Sequence, residues 1–274
     1  MASSLIANAL QVNFDSVLGI PENEGMVMMF RALVSTGLSG FLGCPSILYE
    51  QELEQFFDTS FVKDNEIICA IQGKFVGIYE DLLAGVFELP TTGLTDVDDV
   101  PKDLVYDARS IFSKSGEPVQ TSCNKRKMKN EFLLLNDVLA KSVTVKAVSF
   151  DAVTHERFLL MTAIHFGLKI NWSKILFDIL KGMVTKASKQ AKGFAAQICA
   201  LLKSAPNLTM GEAKTFPPLK ILTTKTVGTY IAKQKGIDDS HEEDEPVVKK
   251  TPMKKGVSKK RPAVPSVDVR TRIC

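Results

Sequence analysis

Apolar residues in the first 235 positions recur mainly at helical spacing, and this pattern predicts a body built mostly of α-helices. The clearest apolar stripe follows Asn171, a residue type that often caps helices, and it consists of Leu176, Leu180, Met183 and Ala187. The same spacing predicts helices over residues 22–34, 47–57, 81–87, 102–112, 129–141, 158–165, 194–202 and 224–235. We expect Asp151 or Thr154 to cap the helix that ends near residue 165.

The predicted helix over residues 47–57 has two different faces. Four apolar residues are expected near one face, Leu48, Leu53, Phe56 and Phe57, and three glutamates on the opposite face: Glu50, Glu52 and Glu54. A β-hairpin is predicted next, because residues 66–72 and 75–78 are short runs rich in β-branched and aromatic residues on either side of Gly73 and Lys74. The predicted fold class is therefore α+β, mainly α with a small β-hairpin.

The distribution of charge changes near residue 236. Residues 1–235 carry 25 basic and 24 acidic side chains, whereas residues 236–274 carry nine basic and seven acidic ones in separate blocks. The tail has no aromatic residue and four prolines, so it cannot bury enough apolar surface to offset the entropy of ordering. We therefore predict a helix-rich body over residues 1–235 and a disordered, acidic-then-basic tail over residues 236–274.

The polar segment 113–124 is the best internal linker in the body. It separates two possible lobes, residues 1–112 and 125–235, or it joins two halves of a single core. The sequence alone leaves both arrangements open.

The tail carries a cluster of seven cations: Lys249, Lys250, Lys254, Lys255, Lys259, Lys260 and Arg261. Such a run suits importin recognition or contact with the phosphates of nucleic acid, and it can also lack a role. It predicts a nuclear location, with the cytoplasm as the alternative. A second basic cluster over residues 125–129 is expected to be a solvated helix start, because no aromatic residue is interleaved with it for base stacking.

Catalytic and metal-binding motifs are incomplete in this sequence. His155 and Glu156 begin a metalloprotease signature, but Leu159 stands where the second histidine is required, and His165 is expected to be a partly buried core residue. Three glycines at GxxGxxG spacing are expected to form turns: Gly37, Gly40 and Gly43. The acidic loop with Asp96, Asp98 and Asp99 is expected to be solvated. We predict no enzymatic activity, no cofactor and no metal site.

Five cysteines without a CxxC pair fit reduced intracellular thiols, and no membrane segment is predicted. Two stretches of the body then resemble a family of plant transposon proteins from retrotransposon-derived open reading frames. The first consists of ELEQFF at 52–57, IQGKFVGI at 71–78 and FELP at 87–90; the second consists of FDAVTHERF at 150–158 and INWSKILF at 170–177. This resemblance covers about residues 45–200, and the family supplies no catalytic residues to carry over.

Three hypotheses for function follow. The first is a non-enzymatic, mobile-element-derived plant protein of the nucleus, with a role close to nucleic acid or in assembly, whose helical body binds a protein partner or a second copy. The second is a helical protein-interaction scaffold in nuclear RNA-processing or chromatin complexes. The third is a divergent transposase or nuclease that uses Asp96, Asp98 and Asp99.

Overall fold

The computed structural model describes residues 9–21, 23–145, 152–185, 188 and 190–242. The protein is mainly helical, as the apolar spacing predicts. Eleven α-helices lie within the described residues: α1 (Phe14–Val17), α2 (Glu24–Ser35), α3 (Ser39–Leu42), α4 (Glu50–Thr59), α5 (Glu80–Phe87), α6 (Lys102–Ile111), α7 (Asn130–Ser142), α8 (His155–His165), α9 (Trp172–Val184), α10 (Ala195–Ser204) and α11 (Thr224–Glu242).

Side-chain caps fix where several helices begin. The Asn171 side chain accepts a hydrogen bond from the Lys174 backbone N–H at 2.9 Å, so the predicted cap of α9 is confirmed. The Thr154 hydroxyl accepts from the backbone N–H of Arg157 at 3.4 Å and caps α8 in the same way. Asparagine and threonine favour these positions because their oxygens satisfy N–H groups that have no partner within the helix.

Nine short strands also lie in the described ranges: β1 (Gln11–Val12), β2 (Ile47–Leu48), β3 (Phe61–Lys63), β4 (Glu66–Ile71), β5 (Lys74–Ile78), β6 (Cys123–Asn124), β7 (Ala152–Val153), β8 (Lys214–Thr215) and β9 (Ile221–Leu222). The predicted hairpin is confirmed as the antiparallel pair β4–β5. Gln72 and Gly73 form its turn with φ angles of 51° and 77°, as a tight two-residue hairpin turn requires. Strand β3 extends the hairpin to three strands and was not predicted, because three residues are too short to show a period.

The prediction for residues 47–57 was wrong at two points. Ile47 and Leu48 form a strand that pairs with β8, so helix α4 begins only at Glu50. Glu52 is buried, although helical spacing placed it on the polar face. It accepts hydrogen bonds from the side chain of Gln72 at 2.8 Å and from the backbone N–H of Gly211 at 3.0 Å. At Glu52 the expected polar face is therefore covered by the hairpin turn and by a distant loop, whereas Glu50 and Glu54 stay partly exposed.

One hydrophobic core includes residues from both of the predicted halves. The Phe112 ring lies 4.1 Å from the ring of Phe132 and 5.2 Å from that of Phe158, measured between centroids. Phe41 packs edge-on against Phe194 from the second half at 4.9 Å. Segment 113–124 therefore joins parts of a single core.

The chain divides into two units, residues 1–235 and 236–274. Helix α11 continues through Glu242, so the first seven residues of the predicted tail are helical. No proline lies between Pro218 and Pro246, so none interrupts the backbone of this helix. The rest of the tail lies outside the described residues. None of the helices in the described ranges is both long and apolar enough to cross a membrane.

Candidate nucleic-acid interface

Two adjoining surface pockets form what we call the basic face. The larger, with a volume of ≈ 780 Å³, is lined by residues between 113 and 127, and the smaller, of ≈ 420 Å³, lies between α6 and residues 120–122. Gln120 and Ser122 line both pockets, so the two are continuous. Five cationic side chains line this face: Lys102, Arg109, Lys114, Arg126 and Lys127.

Positive charge is concentrated in this part of the chain. Residues 102–129 carry seven basic and three acidic side chains, a net charge of +4, whereas the whole chain has a net charge of +3. Of the three acidic side chains, Glu117 lines the pockets. Clustered cations of this kind produce a positive potential that attracts polyanions.

Backbone hydrogen bonds hold segment 113–124 against α6. The Lys114 N–H donates to the carbonyl of Lys127 at 2.8 Å, and the Val119 N–H donates to the carbonyl of Arg109 at 3.0 Å. The Arg109 Nε group in turn donates to the Val119 carbonyl at 2.7 Å, and the Val119 side chain is buried. Segment 113–124 therefore has a defined backbone path, and its single cation, Lys114, extends from that fixed backbone.

The basic run at 125–127 forms a 3₁₀-helix before α7, capped by the Asn124 side chain. Lys125 Nζ lies 3.6 Å from a carboxylate oxygen of the buried Asp137, so this lysine pairs with the body of the protein. The other Asp137 oxygen accepts from the Tyr230 hydroxyl at 3.2 Å. Burial and the nearby carboxylate raise the pKa of Tyr230. Arg126 and Lys127 remain exposed to solvent.

Tyr106 places an exposed aromatic ring beside the basic residues, although no aromatic residue is interleaved with the basic run at 125–129 in the sequence. Its side chain is 65% exposed and lines the smaller pocket together with Lys102 and Arg109. These three residues are spaced i, i+4 and i+7 along α6, so they share one helical face. That spacing is visible in the sequence, but only the fold shows that it lies beside residues 120–127.

Cys123 is half-buried and lines the larger pocket. Burial raises the pKa of its thiol, and the ammonium group of Lys127 acts in the opposite direction. The other described cysteines, Cys44, Cys69 and Cys199, are buried and free. Burial raises the pKa of Cys44 to about 12 and those of Cys69 and Cys199 to about 11.

The seven tail cations, Lys249, Lys250, Lys254, Lys255, Lys259, Lys260 and Arg261, lie outside the described residues. The three loop aspartates are exposed, and the Asp96 side chain caps a short 3₁₀-helix by accepting from the Asp98 N–H at 3.0 Å. In the part of the chain that the structure describes, no group of three or more His, Cys, Asp and Glu side chains could hold a metal ion.

His165 was expected to be a partly buried core residue; it is exposed at the end of α8, although its ring packs against phenylalanines of the core. Its ring contacts the edges of Phe112, Phe132 and Phe166, with centroid distances between 5.0 and 5.5 Å. Burial of part of the ring and the nearby Lys129 lower its pKa. The helix ends at this residue, so one side of the ring remains open to water.

Comparison with known proteins identifies no relative of this chain. No protein-family model, no curated protein and no solved structure matches it. The geometry of the basic face is therefore the main basis for a functional proposal.

Proposed function

We propose that this protein is a non-enzymatic nucleic-acid-binding protein and that the basic face is its binding surface. The observation that carries the proposal is the convergence of cations from α6, segment 113–124 and the 3₁₀-helix at 125–127 around the exposed ring of Tyr106. Cationic side chains contact phosphates without regard to sequence, and an aromatic ring can stack on a base.

The composition of the face favours single-stranded nucleic acid. A duplex hides the faces of its bases, whereas an unpaired base can stack on Tyr106 while the neighbouring phosphates contact Arg126 and Lys127. Hydroxyl and amide groups from Ser115, Gln120, Thr121 and Ser122 line the same surface and can donate hydrogen bonds to phosphate or sugar oxygens.

We retain a nuclear location and an origin in a mobile element as predictions from the sequence. We also retain, on the same basis, importin recognition and further nucleic-acid contact by residues 249–261. The helical-scaffold hypothesis keeps its place as the alternative function. For the transposase or nuclease hypothesis, the described residues supply only the exposed aspartates of the loop before α6.

The test is a binding titration of the full chain with a labelled single strand of about 30 nucleotides, a length chosen to exceed a typical single binding site. We expect Arg126→Glu/Lys127→Glu to weaken binding by at least about tenfold, because each reversal replaces a phosphate contact with a repulsion. We also expect the affinity of the unchanged protein to fall steeply with salt, and that of the variant to fall less steeply.

The matched control is Lys63→Glu/Lys225→Glu, which changes the net charge equally at exposed lysines of β3 and α11. Tyr106→Ala should weaken binding to the single strand and leave duplex binding nearly unchanged, because only the single strand can stack. If Arg126→Glu/Lys127→Glu and the control weaken binding equally, the loss is a general effect of net charge, and the proposal is contradicted.

A further inference from the structure

A separate surface of the body has the shape of a helix-packing site. An apolar groove of ≈ 380 Å³ lies between α2, α7 and α8, and its lining includes Met29, Phe132, Leu135 and Ile164. Four residues of α2 lie along it at helical spacing: Gly25, Met28, Ala32 and Ser35. Gly25, Ala32 and Ser35 are small enough to allow a second helix to approach closely. The fourth residue, Met28, projects from α2 with 54% of its side chain exposed.

Opposite charges lie at different points along this groove. A Cβ atom on Gly25 would lie 3.2 Å from the carboxylate carbon of Glu131, so this acidic group marks the N-terminal end of α2. Arg31 follows six residues later, about 9 Å along the helix axis at the rise of an α-helix. Neither Arg31 nor Glu131 forms an ion pair with any of the described residues.

We propose that the groove binds a second copy of this chain in a two-fold symmetric dimer, with the two α2 helices packed antiparallel. In that arrangement Arg31 of each copy faces Glu131 of the other, and each Met28 enters the groove of the other copy. A two-fold interface requires a self-complementary surface. Here one face carries both an apolar projection and the groove that can receive it, and both a cation and the anion that can pair with it. The antiparallel helix dipoles also attract each other.

The position of the charges is what selects a second copy over another apolar partner. An unrelated helix could fill the apolar groove, but Arg31 on α2 and Glu131 beside the N-terminal end of α2 pair across two copies only when the second α2 runs in the reverse direction. This inference does not depend on nucleic-acid binding, because the groove and the basic face share no lining residue.

The test measures the mass of the full chain by sedimentation equilibrium up to about 100 µM, a range that covers weak dimers. We expect Arg31→Glu alone and Glu131→Arg alone each to raise the dimer dissociation constant by at least about tenfold, because each places like charges opposite one another. An equimolar mixture of the two variants should dimerise again, because each contact between position 31 of one copy and position 131 of the other then joins a glutamate to an arginine.

Recovery in the mixture also excludes misfolding as the cause of the loss, because two misfolded chains would not restore a specific interface. Met28→Glu should prevent dimerisation, whereas Leu219→Glu should not. Leu219 is 87% exposed and lies on the 3₁₀-helix at Pro218–Lys220, away from the groove lining. An unchanged chain that stays monomeric at the highest concentration, or a mixture that does not recover, would overturn the proposal.

Discussion

Glu52 shows how a single carboxylate can connect parts of the chain that are distant in sequence. It is 2% exposed, and one of its oxygens accepts hydrogen bonds from the Gln72 side chain at the hairpin turn and from the Gly211 N–H. The Gln72 side chain also donates to the carbonyl of Thr209 at 2.9 Å. A carboxylate is rarely buried without such donors, because the loss of hydration must be offset by hydrogen bonds.

We predict that Glu52→Ala lowers the free energy of unfolding by about 1–3 kcal/mol, because it removes the buried acceptor of two hydrogen bonds that link α4 to the hairpin turn and to Gly211. The control is Asp58→Ala at an exposed position of the same helix, where a change within about 0.5 kcal/mol is expected. Urea denaturation of both variants measures the difference. Equal stability of the two would show that the Glu52 hydrogen bonds contribute little.

At the scale of elements, the sequence predicted the long helices well because their apolar residues recur at helical spacing. Helix α9 buries one stripe, whereas α7 and α8 are buried on nearly all sides. Helix α6 was expected over residues 102–112 and is observed at Lys102–Ile111. The two-residue strands β1, β2, β8 and β9 could not be predicted, because their pairing depends on partners more than 150 residues away.

The candidate site was predictable only in part, because it too depends on contacts between residues that are distant in the sequence. The basic run at 125–129 is visible in the sequence, and so is the i, i+4, i+7 spacing of Lys102, Tyr106 and Arg109. What brings these two patterns together is the path of segment 113–124, which is fixed by hydrogen bonds to Arg109 and Lys127. The site therefore depends on a loop whose conformation has no periodic signal in the sequence.

The packing of α3 against the end of α5 gives a prediction at the same scale. A Cβ atom at Gly40 would lie 2.1 Å from the carbonyl oxygen of Phe87, a contact that the backbone must move to relieve. We expect Gly40→Ala to destabilise the protein by about 1–3 kcal/mol or more through overpacking.

Gly85 on α5 is the matched control, because a Cβ atom there meets no neighbouring atom within 4 Å. Gly85→Ala should stabilise the protein by roughly 0.5–1 kcal/mol, since alanine loses less backbone entropy in a helix. Thermal unfolding of the two variants should therefore shift in opposite directions. Two shifts of the same sign would show that the α3–α5 contact adapts easily to an added methyl group.

At the scale of the whole molecule, the net charge of +3 conceals two separate cationic regions. One is the basic face, which the fold assembles, and the other is the run at residues 249–261 in the tail. Two weak sites on one chain can bind a single strand much more tightly than either does alone, because binding at the first raises the effective concentration at the second. Whether the two regions act together depends on whether one strand can reach both.

The length of the bound strand distinguishes joint from separate action. On a strand of about 30 nucleotides, joint binding predicts that Arg126→Glu/Lys127→Glu or deletion of residues 249–261 each weakens affinity by up to roughly a hundredfold. On a strand of about 6 nucleotides, which can occupy one site at a time, each single change should cost only about twofold, and the two together should abolish binding. Separate action instead predicts the same loss at both lengths. Fluorescence anisotropy at fixed salt measures each affinity, and Lys63→Glu/Lys225→Glu is the charge-matched control for the double reversal.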